Sequence, residues 1–222
     1  MEERLRQIAD CIEQGKIDAA SPYPPELAGM DGADELTLKA LNSGIAPNQI
    51  LTGALIKGME SIGIKFRDNK VFLPDVLMAA RAMTAAMSHL RPYFKSGQVK
   101  HKGAVLLGTV AGDLHDIGKK IVGMFFEGGG WKVIDLGVNV DTGKYLDAIK
   151  QYKPVAVGLS ALLTTTMAAM ESITKEIHSA FPEIKILIGG APVSQAFADR
   201  IGAHFYSPDP QGALDFINAN CI

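Results

Sequence analysis

The sequence predicts an α/β fold: a five-stranded parallel sheet covered by helices, preceded by an N-terminal four-helix bundle. Two observations carry this. Up to position 91 the apolar residues recur at helical spacing, whereas beyond position 102 five short apolar runs alternate with amphipathic stretches. Apolar runs separated by helices mean strands buried on both faces, which is the pattern of a parallel sheet. The segment PYFKSGQVKHK at 92–102 is polar, carries no apolar period and reads as a linker. The expected domains are therefore 1–91, a helical domain, and 103–222, the α/β domain.

In the first part, Leu5, Ile8, Ala9 and Ile12 keep one helix face, until Gly15 and the run Ser21-Pro22-Tyr23-Pro24-Pro25 break it. A second helix runs from about Asp31 through Leu36, Ala40 and Leu41 to Gly44. Pro47 suits a helix first turn and is followed by Ile50, Leu51, Ala54, Leu55, Met59 and Ile62. Pro74 opens the fourth helix, with Val76, Leu77, Ala80, Met83, Met87 and Leu90. Short connections between four helices make an antiparallel bundle. In the second part the strands are expected at 104–110, 131–136, 155–159, 184–188 and 203–206. The helices fall at 117–126, 141–150, 164–180, 194–201 and 211–219.

Composition narrows the function classes. Lys plus Arg is 22 and Asp plus Glu 24, so there is no basic surplus for nucleic acid. No stretch reaches the length of a membrane span uninterrupted by charge or turn residues, and the acidic, amphipathic N-terminus is no signal peptide. The two cysteines, Cys11 and Cys221, lie at opposite ends and suggest no disulfide framework. The expected location is the cytoplasm.

Ligands of parallel α/β sheets bind beyond the carboxyl ends of the strands, so the residues after each run are the informative ones. After the first run comes Gly112-Asp113-Leu114-His115-Asp116-Ile117-Gly118. One reading is a helix cap by Asp113 or Asp116 with His115 solvated. The other is metal ligation by His115, with Asp113 orienting the ring. The other histidines show no ligand spacing, and zinc needs three or four ligands. A single ligand suits a metal already held in a macrocycle. After the third run come Ser160, Thr164, Thr165 and Thr166, either capping hydroxyls or partners of a polar ligand. After the fourth come Gly189 and Gly190, either a turn or an open approach to the backbone.

Asp113-x-His115-x-x-Gly118, Ser160-x-Leu162 and Gly189-Gly190 together resemble the cobalamin-binding signature DxHxxG…SxL…GG. The chain resembles methyltransferase-associated corrinoid proteins of methanogens and acetogens and the cobalamin module of methionine synthase. That resemblance covers nearly the whole chain and implies a flavodoxin/Rossmann-like sheet under a helical cap. It implies cobalamin bound base-off and His-on, cycling between cob(I)alamin and methylcobalamin, with His115 as lower cobalt ligand and Asp113, extended by Thr166, as its partner. The nucleotide tail would lie beside Ser160, Leu162 and Thr164, pass Gly189 and Gly190 and run close to Gly118, and Gly112, Asp116 and Ile117 would also belong to the cofactor site. Tyr206 and Pro210 would close around its end, Phe66 and Leu73 would cover the upper face, and 92–102 would hinge the cap.

The resemblance further implies a methyl carrier, a subunit of a multi-component system and not a self-sufficient enzyme. Its partners would be a substrate-specific methyltransferase, a second methyltransferase with a pterin or thiol acceptor, and a reductive activase. Methanol, methylamine, betaine and methoxyaromatic donors all stay open. The stretch 22–29 is longer than the usual connection between the first two cap helices. The alternative is a cobalamin-binding sensor or storage protein; sensors of this type carry a DNA-binding domain and favour a cap Trp, whereas the one Trp here is Trp131. A flavodoxin-like FMN protein is the fallback if no corrinoid binds.

Overall fold

A computed structural model describes residues 1–221. The chain forms two compact units, Met1–His101 with Gly128–Gly130, and Lys102–Glu127 with the described residues from Trp131 onward.

The first unit is helical. It contains α1 (Glu2–Glu13), α2 (Ala33–Asn42), α3 (Pro47–Ile50) and α4 (Ile56–Arg67), the last two joined through a π turn at Leu51–Leu55, then α5 (Leu73–Lys95). The apolar face of α1 is expressed as burial of Ile8 and Ile12. Gly58 lets α4 close on α1: a Cβ there would lie 2.7 Å from the Ala9 carbonyl and 2.8 Å from Ile12 Cβ. Just beyond the Ser43 cap of α2, Gly44 has a φ of 83°, the left-handed conformation that glycine adopts freely. At the start of α5, the Asp75 carboxylate accepts the Phe72 N–H at 2.8 Å. Helix α5 continues through Pro92 to Lys95, so the first four residues expected in the linker are helical. Pro92 withdraws only its own donor, and its carbonyl still accepts the Ser96 N–H at 3.0 Å. Val99, within the same polar stretch, is buried, with its N–H on the Tyr93 carbonyl at 3.1 Å.

The second unit is a parallel α/β sandwich. Its elements are β1 (Ala104–Thr109), α6 (Ile117–Gly128), β2 (Lys132–Asp135), α7 (Thr142–Tyr152) and β3 (Ala156–Ser160). A 3₁₀ turn (Thr164–Thr166) leads into α8 (Met167–Ala180), then β4 (Lys185–Gly189), α9 (Gln195–Ile201), β5 (Phe205–Tyr206) and α10 (Pro210–Asn220). The sheet order is β2-β1-β3-β4-β5, all parallel. That order reverses between β1 and β3, and a crevice opens at such a reversal beyond the strand ends. The register aligns Thr109 with Ser160 and Ser160 with Gly189. One face buries Leu106, Val157, Ile186 and Ile188 with α7, α8 and α9; the other buries Val105, Leu107, Ala156 and Leu187 with residues of α6 and α10.

The last strand is shorter than expected. His204 explains this: its N–H donates to the Ile186 carbonyl at 2.9 Å, and its Nδ1 accepts the Ile186 N–H at 3.1 Å. The imidazole thus stands in for a backbone acceptor. Position 222, the end of the expected second domain, lies outside the described residues. No described helix is long and apolar enough to cross a membrane.

Candidate functional site

The loop between β1 and α6 is fixed from three sides. Gly112 turns the chain at φ 84°, and its N–H donates to Asn139 Oδ1 at 2.7 Å. The Asn139 N–H returns to the Asp113 carbonyl at 2.9 Å. The buried Thr109 hydroxyl donates to the His115 carbonyl at 2.8 Å.

Asp113 is fully buried and spans the crevice. Its Oδ1 accepts the His115 N–H at 3.0 Å and faces His115 Nδ1 at 2.7 Å. Its Oδ2 accepts the N–H of Leu162 at 2.7 Å and of Leu163 at 3.2 Å. The Thr166 hydroxyl lies 3.0 Å from the same oxygen and 2.8 Å from the Leu163 carbonyl, within reach of both acceptors. Burial by itself would raise the Asp113 pKa. The N–H of Leu162, the N–H and ring of His115, and the Thr166 hydroxyl outweigh it and hold the carboxyl far below the usual range.

An ionised Asp113 can only accept, so it meets the His115 Nδ1–H, and in a neutral ring Nε2 is then the nitrogen with the lone pair. The His115 side chain is 52% exposed. It is accompanied by apolar side chains that the core leaves outside: Leu114 at 72% and Ile117 at 70% exposure, with Leu162 and Leu163 also exposed. Among the described residues no three His, Cys, Asp or Glu side chains gather into a metal site. The donor set is one imidazole, with ring orientation fixed by a buried carboxylate, amid exposed apolar surface. That fits a metal bringing its own in-plane ligands in a largely apolar macrocycle.

The remaining expected site residues separate into groups. Asp113, His115, Leu162 and Thr166 are tied together by the bonds above. Ser160 and Gly189 are register partners at the ends of β3 and β4. Gly118 and Gly189 are open positions: a Cβ at Gly118 would meet nothing within 4 Å, and one at Gly189 only the Ser207 carbonyl at 3.9 Å. Gly190 has a different reason to be glycine, since a Cβ there would lie 1.8 Å from the Ala161 carbonyl. Thr164 is exposed in the 3₁₀ turn, and Tyr206 is half-buried opposite Ile188. Pro210 begins α10, which Asp209 caps by accepting the Gly212 N–H at 2.8 Å. Asp116 directly precedes α6: its carbonyl accepts the Lys120 N–H at 2.9 Å and its carboxylate pairs with the Lys120 ammonium. Phe66, in the last turn of α4, and Leu73, the first residue of α5, are half-buried residues of the first unit. Leu163, Thr109 and Asn139 were not legible as site residues, because their contribution is a backbone N–H or a cross-loop bond that no spacing records.

The fold and site define a parallel α/β protein that presents one exposed imidazole, oriented by a buried carboxylate, where the strand order reverses. Residues 103–214 match a B12 binding domain model, and residues 30–91 match a second B12 binding domain model. A trimethylamine corrinoid protein of Methanosarcina barkeri is 38% identical over 206 residues, covering 91% of this chain and 93% of the relative. A dimethylamine corrinoid protein of the same organism is 34% identical over 216 residues, with 96% and 95% covered. The methanol:cobalamin methyltransferase complex MtaBC of Methanosarcina barkeri contains a chain that superposes with a TM-score of 0.81 at 28% identity, covering 98% of this chain and 79% of that one. The chain belongs to the B12-binding corrinoid proteins associated with methyltransferases.

Proposed function

We propose that this chain is a corrinoid methyl carrier: it accepts a methyl group from a substrate-specific methyltransferase and delivers it to a second one, whose acceptor is a pterin or a thiol. The observation that carries this reading is the exposed His115 ring, held at Nδ1 by a buried, ionised Asp113. When bound, the corrinoid supplies a cobalt that takes up a methyl group as Co(I) and gives it to the acceptor. A relative seen within a methyltransferase complex supports such a partner. A reductive activase belongs to the same proposal.

Each residue has a stated task. Asp113 orients the imidazole and keeps its proton on Nδ1, so that Nε2 serves as lower ligand in a base-off, His-on complex. Thr166 and the N–H groups of Leu162 and Leu163 keep Asp113 ionised although buried. Leu114 and Ile117 offer apolar surface beside His115. The nucleotide tail takes the α6/α10 side of the sheet, where the alternation that turns Leu107, Ala156 and Leu187 to that face also brings Ser160 and Gly189 there. Gly112 and Gly118 flank that course and Pro210, which opens α10, stands at its far end; Gly190, Thr164 and Tyr206, the last packed on the α7–α9 face, enter the proposal on the family resemblance alone. Phe66 and Leu73 enter the proposal on the family resemblance alone.

Reconstitution with cobalamin tests the reading. The wild type should give a base-off spectrum, and its reduced paramagnetic cobalt should show nitrogen superhyperfine splitting that His115→Ala abolishes. A spectrum unchanged from free cobalamin, or splitting that survives the substitution, would sink it.

A further inference from the structure

Gln211 is 1% exposed, and its Oε1 has no hydrogen-bond partner among the described residues. Its amide orientation is set by chemistry: Nε2 lies 2.8 Å from Asp215 Oδ1, an acceptor, so the carbonyl oxygen is the atom left over. A buried, unpaired carbonyl in a native protein calls for a donor. Gln211 lies three residues before Leu214, and therefore on the same core-facing side of α10, one turn nearer the carboxyl edge of the sheet. The core below is apolar, with Leu214, Ala213, Leu107 and Leu187. Beyond it the same sheet face carries Thr109, Ser160 and Gly189, the last with room for an added carbon. The orphan acceptor therefore sits at the rim where packing side chains give out.

We propose that Gln211 reads the lower base of the corrinoid's nucleotide tail, favouring a base that bears a hydrogen-bond donor over one that has none. This rests on the tail lying on the α6/α10 side, as in the proposed function. Corrinoids differ in that base. Neutral dimethylbenzimidazole has no N–H or O–H to offer, whereas hydroxybenzimidazole has a hydroxyl and adenine an amino group. Seating the first leaves Gln211 Oε1 dry and unpaired; seating either of the others completes it. One satisfied bond to a buried acceptor is worth about tenfold in affinity.

The test is equilibrium binding to the full-length apoprotein, followed by visible absorption, of four probes: cobalamin, the hydroxybenzimidazolyl and adenyl cobamides, and cobinamide, which lacks the nucleotide. The wild type should bind at least one donor-bearing cobamide about tenfold more tightly than cobalamin. Gln211→Leu should collapse that ratio toward unity and leave cobinamide affinity unchanged; Gln211→Met serves equally should the leucine variant fail to fold. Equal affinity of the wild type for all three complete corrinoids would overturn the inference, as would a preference that survives both substitutions. Cobinamide separates the two levels. Its binding with a His115-dependent spectrum, without lower-base discrimination, removes the role of Gln211 alone; failure of every probe, cobinamide included, removes the corrinoid reading and this inference with it.

Discussion

Asp113 and Leu162 are 49 residues apart in the chain, and the Leu162 N–H donates to Asp113 Oδ2 at 2.7 Å. The bond joins the loop after β1 to the loop after β3, across the point where the strand order reverses. A single carboxylate thereby both closes the crevice and orients the histidine at its mouth.

Asp113→Asn should be costly to stability. Whichever way the amide turns, its NH2 group meets donors that now face a carboxylate oxygen: two N–H groups on one side, or the N–H and ring of His115 on the other. Leaving such buried groups unpaired costs about 1–3 kcal/mol each. Urea unfolding should show at least that loss. A variant as stable as the wild type would mean that the carboxylate network holds nothing.

His115→Ala should behave differently. The ring is half exposed and its contacts are to Asp113, so unfolding free energy should change by no more than about 1 kcal/mol. The loss should fall on the cobalt ligand and not on the fold. Thermal unfolding of the apoprotein checks this against the spectroscopic effect.

Two glycines give opposite expectations. Gly190→Ala places a Cβ against the Ala161 carbonyl at a φ of 129°, and should destabilise by more than about 2 kcal/mol. Gly118→Ala, in the first turn of α6 with open space around it, should stabilise by up to about 1 kcal/mol. If the nucleotide tail passes Gly118, that more stable variant will bind cobalamin less tightly. Unfolding curves and binding isotherms of the two variants separate backbone need from ligand room.

Acid should weaken the second unit through His204. Burial lowers its pKa below the ordinary 6.5, helped by the positive charge of Lys185 and by His178. Protonating Nδ1 would also remove the acceptor of the Ile186 N–H. In this window the unfolded chain binds more protons than the folded one, so stability rises with pH. The contribution is fully present above about 6.5 and is lost as pH falls from there toward the folded value. His204→Gln should flatten the stability profile between about pH 5 and 7. An unchanged slope would refute the assignment.

Tyr145→Phe should be neutral or mildly stabilising. The Tyr145 hydroxyl is buried with no partner among the described residues, and burial pushes its pKa well above the usual phenol. Removing an unpaired polar atom costs no hydrogen bond. A loss above about 1 kcal/mol would show that the hydroxyl is satisfied by a bridging water.

Periodicity alone determined the helical first part, the alternation of strands and helices in the second, and the loops in which the site lies. Those features are local: the face of α1 is legible from Leu5, Ile8 and Ile12 because burial on a helix recurs every third or fourth residue. Local reading misjudged Pro92–Lys95, because the tendency of proline to end a helix yields to continued packing and to an intact Pro92–Ser96 turn. It could not say why Gly190 is glycine, since that depends on how the loop after β4 meets the Ala161 carbonyl. Nor could it decide between a capping and an orienting Asp113. Only the tertiary structure shows the partners of that carboxylate, because the register of β1 against β3 brings Leu162, Leu163 and Thr166 to it. Gln211 shows the same division: any glutamine can sit in a helix first turn, and burial without a partner exists only once the sheet and α10 have closed around it.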